Sequence, residues 1–211
     1  MDRAYNHLIL RQTLGALGIA LPALVILFGL LGHNGPEWYY SISATYYANS
    51  GAVFCLVMGA VAFFLMTYRM YSRLDYAVNI LSGVFALLII LFPCATDLYT
   101  HVGTFHVPVK VSSLIHNISA CIFFLLLAFN ILFLFTKSVP SPTREKLKRN
   151  RLYRVCGIGI LAFMASQIVF TVAPFAGPYT IINEAGMLMC FGFAWLVKGN
   201  ALLKDNTSTA R

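Results

Sequence analysis

Seven polar side chains in this sequence sit in or beside strongly apolar stretches. His116, Asn117, Gln167, Asn183 and Glu184 lie inside apolar runs, and Asp97 and His101 follow directly after one. Burying such groups in hydrocarbon is costly unless something pairs with them. Each therefore predicts a partner, and the set allows three kinds of chemistry. Asp97 and His101 are spaced i, i+4, which puts two ligands on one face if the segment is helical. With His116 as a third ligand and Glu184 as a fourth ligand or general base, they would suit zinc. Three protein ligands and an open position activate water for hydrolysis, so Glu184 is the candidate catalytic residue and zinc the candidate cofactor. Without a metal, His116 facing Glu184 makes a proton-responsive pair of the kind a small carrier or channel uses. The third reading is structural: hydrogen bonds of about 0.6 to 2 kcal/mol that fix helix packing.

The elements that must position these groups are membrane spans. Of the 211 residues, 59% are hydrophobic and 10% charged, whereas a soluble domain is about 25% charged. Six apolar runs occur, at about 13–32, 51–68, 76–93, 111–135, 155–173 and 181–202. Each is near the length a helix needs to cross a bilayer. The expectation is an all-α polytopic membrane protein, one domain over 1–211 with six transmembrane helices. The first run is read as a retained span, being longer than a signal-peptide core. Pro22 is expected to kink it. Pro93 and Pro174 mark the ends of the third and fifth spans.

Basic residues orient the bundle. With both termini inside, every Lys and Arg of the 15 except Lys110 falls on the inner side, which is the positive-inside pattern and predicts N-in, C-in. The net charge of +8 is thus a topology signal, not a nucleic-acid signal. The run T-R-E-K-L-K-R-N-R-L-Y-R adds attraction to anionic lipids, so the expected partners are membrane lipids and not nucleic acid.

In that topology the polar residues converge on one depth. His116 lies roughly 7 Å below the outer end of the fourth span, from the helical rise. Glu184 and Asn183 stand about one turn into the sixth span, and Gln167 in the outer half of the fifth. Ser112, Ser113, His116, Ser119 and Ala120 form a small polar stripe that should face other helices. His116 is expected to point inward at Glu184, with Asn117, Asn183 and Gln167 as further ligand-binding groups. The segment S-I-S-A-T-Y-Y, with Ser43 and Tyr46, is either a lid dipping over this cluster or an interfacial loop. Trp38, Tyr39, Tyr40, Tyr46 and Tyr47 read as an aromatic belt.

S-I-S-A-T-Y-Y, F-F-L-M-T-Y-R-M-Y-S-R-L-D, F-F-L-L-L-A-F-N-I-L-F-L-F-T-K, R-N-R-L-Y-R-V-C-G-I and F-G-F-A-W-L-V-K-G together resemble a family of small bacterial six-span membrane proteins with no established activity. The likeness runs from Ser41 to Gly199. It implies a bacterial inner (plasma) membrane location and no chemistry. The scattered Asp and His residues are also similar to the intramembrane ceramidase and adiponectin-receptor hydrolase group. This chain lacks that group's late H-x-x-x-H on the final span.

Other motifs contribute little. The sequence has no G-x-x-x-x-G-K-[ST], G-x-S-x-G or H-E-x-x-H. Its five cysteines are scattered, without C-x-x-C, and read as small buried hydrophobes rather than a disulfide framework. Cys55 with Gly59, and Gly157 with Gly159, are spaced for close helix packing and are consistent with a homo-oligomer. Lys198 ends the sixth span, where a lysine reaches to the headgroups.

Overall fold

The computed structural model describes residues 3–31, 40–68, 72–138, 140–172 and 178–203, with side chains from residue 7 onward. Among the described residues there are six α-helices: α1 (Arg3–Leu31), α2 (Gly51–Thr67), α3 (Arg73–Leu91), α4 (Val109–Phe129), α5 (Arg144–Val172) and α6 (Tyr179–Lys198). A 3₁₀ turn at Ser43–Tyr47 precedes α2. A short antiparallel hairpin, β1 (His101–Val102) and β2 (Val107–Pro108), leads into α4. Five of the helices are long and apolar enough to cross a membrane, and α2 is a shorter apolar helix. The chain is a helical, multi-pass membrane protein in composition and architecture.

Helix limits follow local chemistry as much as hydropathy. The Ser72 side chain caps α3 by accepting from the Asp75 amide at 3.1 Å, which satisfies a donor that has no partner within the helix. Thr143 accepts from the Lys146 amide at 3.2 Å at the start of α5. That helix begins well before the apolar run expected from 155. Its first turns are R-E-K-L-K-R-N-R, good helix formers that need no apolar surface once they project beyond it. The α1 helix likewise starts at Arg3 and runs through Pro22 without a break. Past Leu91 the chain leaves α3 before Pro93, as expected. Pro174, Trp38 and Tyr39 lie outside the described residues.

Sequential helices pack side by side, and α6 closes the bundle against α1. The α1–α6 seam is close because glycines meet there. A Cβ on Gly15 would stand 2.7 Å from the Leu196 amide nitrogen and 2.8 Å from the Gly192 carbonyl. A Cβ on Gly192 would stand 2.7 Å from the Gly15 carbonyl. Lipid is as apolar as leucine, so dispersion contacts between closely set backbones hold such helices together. The glycine pair singled out from the fifth span behaves differently: Gly157 makes room for the Leu132 side chain, and Gly159 for Cys190.

The bundle has two chemically distinct ends. At one, the basic end, α1 and α6 meet through Gln12, whose amide donates to the Gly199 carbonyl at 2.8 Å, and Arg11, which donates to the Lys198 carbonyl at 3.3 Å. Asp75 pairs there with Lys137 at 2.9 Å. An aromatic cluster of Tyr68, Phe135, Tyr153, Phe191 and Trp195 fills the core beneath, with Trp195 fully buried. Asn130 opens a π-helical turn, Asn130–Leu134, at the end of α4 and donates to Asn79 at 2.8 Å. The opposite end carries the Ser43–Tyr47 turn and the β1–β2 hairpin, and holds Glu184 and His116.

Candidate functional site at the turn end

Glu184 is gripped by the loop that precedes α2. The Ser41 hydroxyl lies 2.9 Å from Oε2 and 3.1 Å from Oε1, and the Ser43 hydroxyl 3.2 Å from Oε1. The Ile42 and Ser43 amides also donate to Oε2, the latter at 3.4 Å. Two hydroxyls and two backbone amides from three consecutive residues thus converge on one carboxylate. The turn supports itself: the Thr45 hydroxyl donates to the Ile42 carbonyl and the Ala48 amide to the Thr45 carbonyl. Ser41, Ile42, Ala44 and Thr45 are buried. Gly51 lets the start of α2 lie against this turn, since a Cβ there would run into the Tyr46 carbonyl. The S-I-S-A-T-Y-Y segment folds back onto Glu184 and supplies it with hydroxyl donors, the part of the lid reading that concerns this carboxylate.

His116 is buried on α4 and faces inward, as expected, but its partner is not Glu184. Its Nδ1 donates to the carbonyls of Ile89 at 3.1 Å and Phe92 at 2.9 Å. Ser112, one turn earlier on the same face, donates to the Pro93 carbonyl at 2.7 Å. Together they satisfy carbonyls that the last turn of α3 leaves without an amide. The polar stripe of the fourth span does face another helix, and its work there is to cap it. The sequence points to a carboxylate for the imidazole because it shows side chains and hides backbone acceptors.

Asn183 and Gln167 do meet. The Asn183 amide donates to Gln167 Oε1 at 3.1 Å, and Gln167 Nε2 donates to the Thr180 hydroxyl at 3.0 Å. This clasp joins α5 to α6 one residue from Glu184. Asn117 is exposed on the outer surface of the bundle, because its neighbour His116 takes the inward direction and adjacent helical residues point about 100° apart.

The expected zinc ligands are not assembled. Asp97 lies in an exposed, non-helical stretch and His101 in β1, so their i, i+4 spacing gives no common face. His101 stacks on His106 instead, with centroids 5.2 Å apart, while His116 is turned to the α3 carbonyls. Among the described residues, no group of three or more His, Cys, Asp or Glu is placed to hold a metal ion.

Between hairpin and turn lies an open recess of about 370 Å³ lined by Tyr46, Tyr47, Tyr99, His101, Gly103 and His106. Tyr47 ties its wall to the end of α3 by donating to the Cys94 carbonyl at 2.8 Å. Burial raises the pKa of Tyr47, with the nearby Cys94, Tyr46 and Tyr40 adding to it. Burial and the nearby Cys55 raise that of Tyr46. Both phenols therefore keep their protons at neutral pH. The Cys94 thiol is pushed up to about 12, first by burial and then by the Glu184 charge. No family model matches this chain, and no curated protein or solved structure shows significant similarity to it.

Proposed function

We propose that this chain is a six-span protein of the bacterial inner membrane, with both termini cytoplasmic, that binds a small ligand at its outer end and couples binding to the turn latched on Glu184. One observation carries this reading. The Ser41–Tyr47 segment presents Ser41 and Ser43 to the Glu184 carboxylate on one side and Tyr46 and Tyr47 to the recess on the other. A ligand in the recess and the carboxylate of α6 therefore act on the same short element. Tyrosine ring faces attract cations and flat apolar groups, so the ligand is a small molecule presenting one of these. Displacing the turn would open the polar interior beside Glu184, which suits a carrier or ligand-responsive channel. The basic residues gathered at the other end support the inward orientation of that end.

The hydrolase reading has less support, because Glu184 already accepts from four donors and the histidines do not converge on it. The test uses a Ser43→Cys variant in spheroplasts, labelled with a membrane-impermeant maleimide, with and without Glu184→Gln. Labelling from outside, at least tenfold faster with Glu184→Gln, is the expected result. A thermal-stability panel of small amines and aromatic compounds should give hits on the parent protein that Tyr99→Ala abolishes. Equal labelling in both backgrounds, or hits that Tyr99→Ala leaves untouched, would remove the reading.

A further inference from the structure

We propose that Cys156 of α5 and Cys190 of α6 are a redox pair, oxidised by a hydroperoxide to a disulfide that staples the two helices. Both are free thiols, and they are hydrogen-bonded to each other across the α5–α6 seam. The seam is antiparallel and regular. A Cβ on Gly159 would stand 2.9 Å from Cys190 Sγ, and one on Gly186 would stand 2.5 Å from the Phe163 ring. Further along, Asn183 donates to Gln167 at 3.1 Å. Cys156 is three residues before Gly159 and so on the same face of α5. The missing Cβ of Gly159 lets the Cys190 sulfur lie in against α5, beside the Cys156 thiol. Two cysteines can be bridged only where their backbones are set this close.

The surroundings select the oxidant. Val155 and Ile158 near Cys156, and Phe193 one turn after Cys190, are exposed apolar side chains. Cys190 stands roughly 12 Å of helical rise from Lys198 at the basic end. A protein that oxidises by disulfide exchange must dock its own cysteines and has no route to that depth. A hydroperoxide is small, and it needs only one thiol to attack and a second to resolve. Cys156 is buried and Cys190 half-buried, so Cys190 meets the oxidant first. Its sulfur attacks one peroxide oxygen and the O–O bond breaks. The sulfur becomes a sulfenic acid, and the other oxygen leaves with the thiol proton as an alcohol or water. The Cys156 sulfur then attacks the sulfenic sulfur, the S–S bond forms, and the S–O bond breaks. Its oxygen departs with the Cys156 proton as water. In all, two electrons pass from the two thiols to the peroxide.

The hydroperoxide comes either from the lipid or from water, and the test separates the two. A variant keeping only this pair (Cys55→Ala, Cys94→Ala, Cys121→Ala) is placed in liposomes of saturated phosphatidylcholine. It is treated with cumene hydroperoxide in one arm and hydrogen peroxide in the other. After denaturation, a maleimide counts the remaining thiols, and intact mass tells hydrogen lost from oxygen gained. Both thiols should vanish together with the loss of two hydrogens, in a chain that stays monomeric and recovers with dithiothreitol. A rate advantage of about tenfold or more for cumene hydroperoxide assigns the lipid source, and the reverse assigns the aqueous one. Adding Cys156→Ala should stop the reaction at a sulfenic acid that dimedone captures. Adding Cys190→Ala instead should slow it by about tenfold or more, since the buried thiol is left alone. If the triple variant does not fold, the parent chain is treated and digested, and the Cys156–Cys190 linked peptide is sought by mass. The idea is overturned if both thiols survive excess hydroperoxide, if the cross-link joins two chains, or if the variant with Cys190→Ala reacts as fast as the one with Cys156→Ala.

Discussion

Glu184 and Ser41 are 143 positions apart in the chain, and the Ser41 hydroxyl lies 2.9 Å from the Glu184 carboxylate. This contact ties the segment before α2 to the last helix. Its removal should be felt as local release more than as global unfolding. Glu184→Ala leaves the Ser41 and Ser43 hydroxyls and the Ile42 amide without their acceptor, at a cost of about 2 to 4 kcal/mol. Glu184→Gln keeps one acceptor oxygen and should cost less. Limited proteolysis within 40–50 should accelerate in the order parent, Gln, Ala. An unchanged cleavage rate in the Ala variant would show that the latch does not hold the turn.

His116→Ala should destabilise the α3–α4 packing by about 1 to 3 kcal/mol, since the Ile89 and Phe92 carbonyls lose a buried donor. His116→Asn supplies a shorter donor and should recover part of it. Denaturation in detergent measures both. A ligand-binding defect in His116→Ala larger than its loss of stability would contradict a capping role.

The glycine seam gives a packing prediction. Gly192→Val puts carbon where the Gly15 carbonyl already stands 2.7 Å from a Cβ position, and α1 must move away. Overpacking of this kind costs about 1 to 3 kcal/mol. Gly59→Ala is the control, because a Cβ there meets only Ile90, at 4.0 Å. Thermal inactivation should separate the two variants clearly.

Cys94 should be a poor nucleophile at neutral pH. With its pKa pushed to about 12, the thiolate fraction at pH 8 is on the order of one in ten thousand. Alkylation of a variant retaining Cys94 alone should rise about tenfold per pH unit up to that range. The sign for stability follows: the folded thiol keeps its proton above the ordinary thiol range while the unfolded one loses it. The contribution is complete below pH 9 and fades as pH climbs towards 12. Glu184→Gln should raise the alkylation rate modestly by removing the nearby charge. Rapid alkylation at pH 7 would contradict this environment.

Much of the scaffold was readable along the chain. The apolar runs located every helix, because a span must satisfy its backbone internally and clothe it in hydrocarbon over a fixed length. The α5 start was not readable from hydropathy, since residues 144–154 are helical without being apolar. The inward face of α4 was legible from the spacing of Ser112, His116 and Ser119, all of which are buried. The shared depth of Gln167 and Asn183 was legible, but their hydrogen bond to each other was not.

The sequence by itself determined composition, helix count and the gathering of basic residues, because these depend on local chemistry and on the thickness of the membrane. Only the tertiary structure decided which groups touch. It sent His116 to the carbonyls ending α3 and gave Glu184 to Ser41, Ile42 and Ser43, and it held Asp97 apart from His101 by making that stretch non-helical. The physical reason is that depth fixes one coordinate of a side chain, whereas a hydrogen bond needs all three. The acceptors and donors that filled the other two were largely backbone groups, which every residue carries and no spelling of the sequence distinguishes.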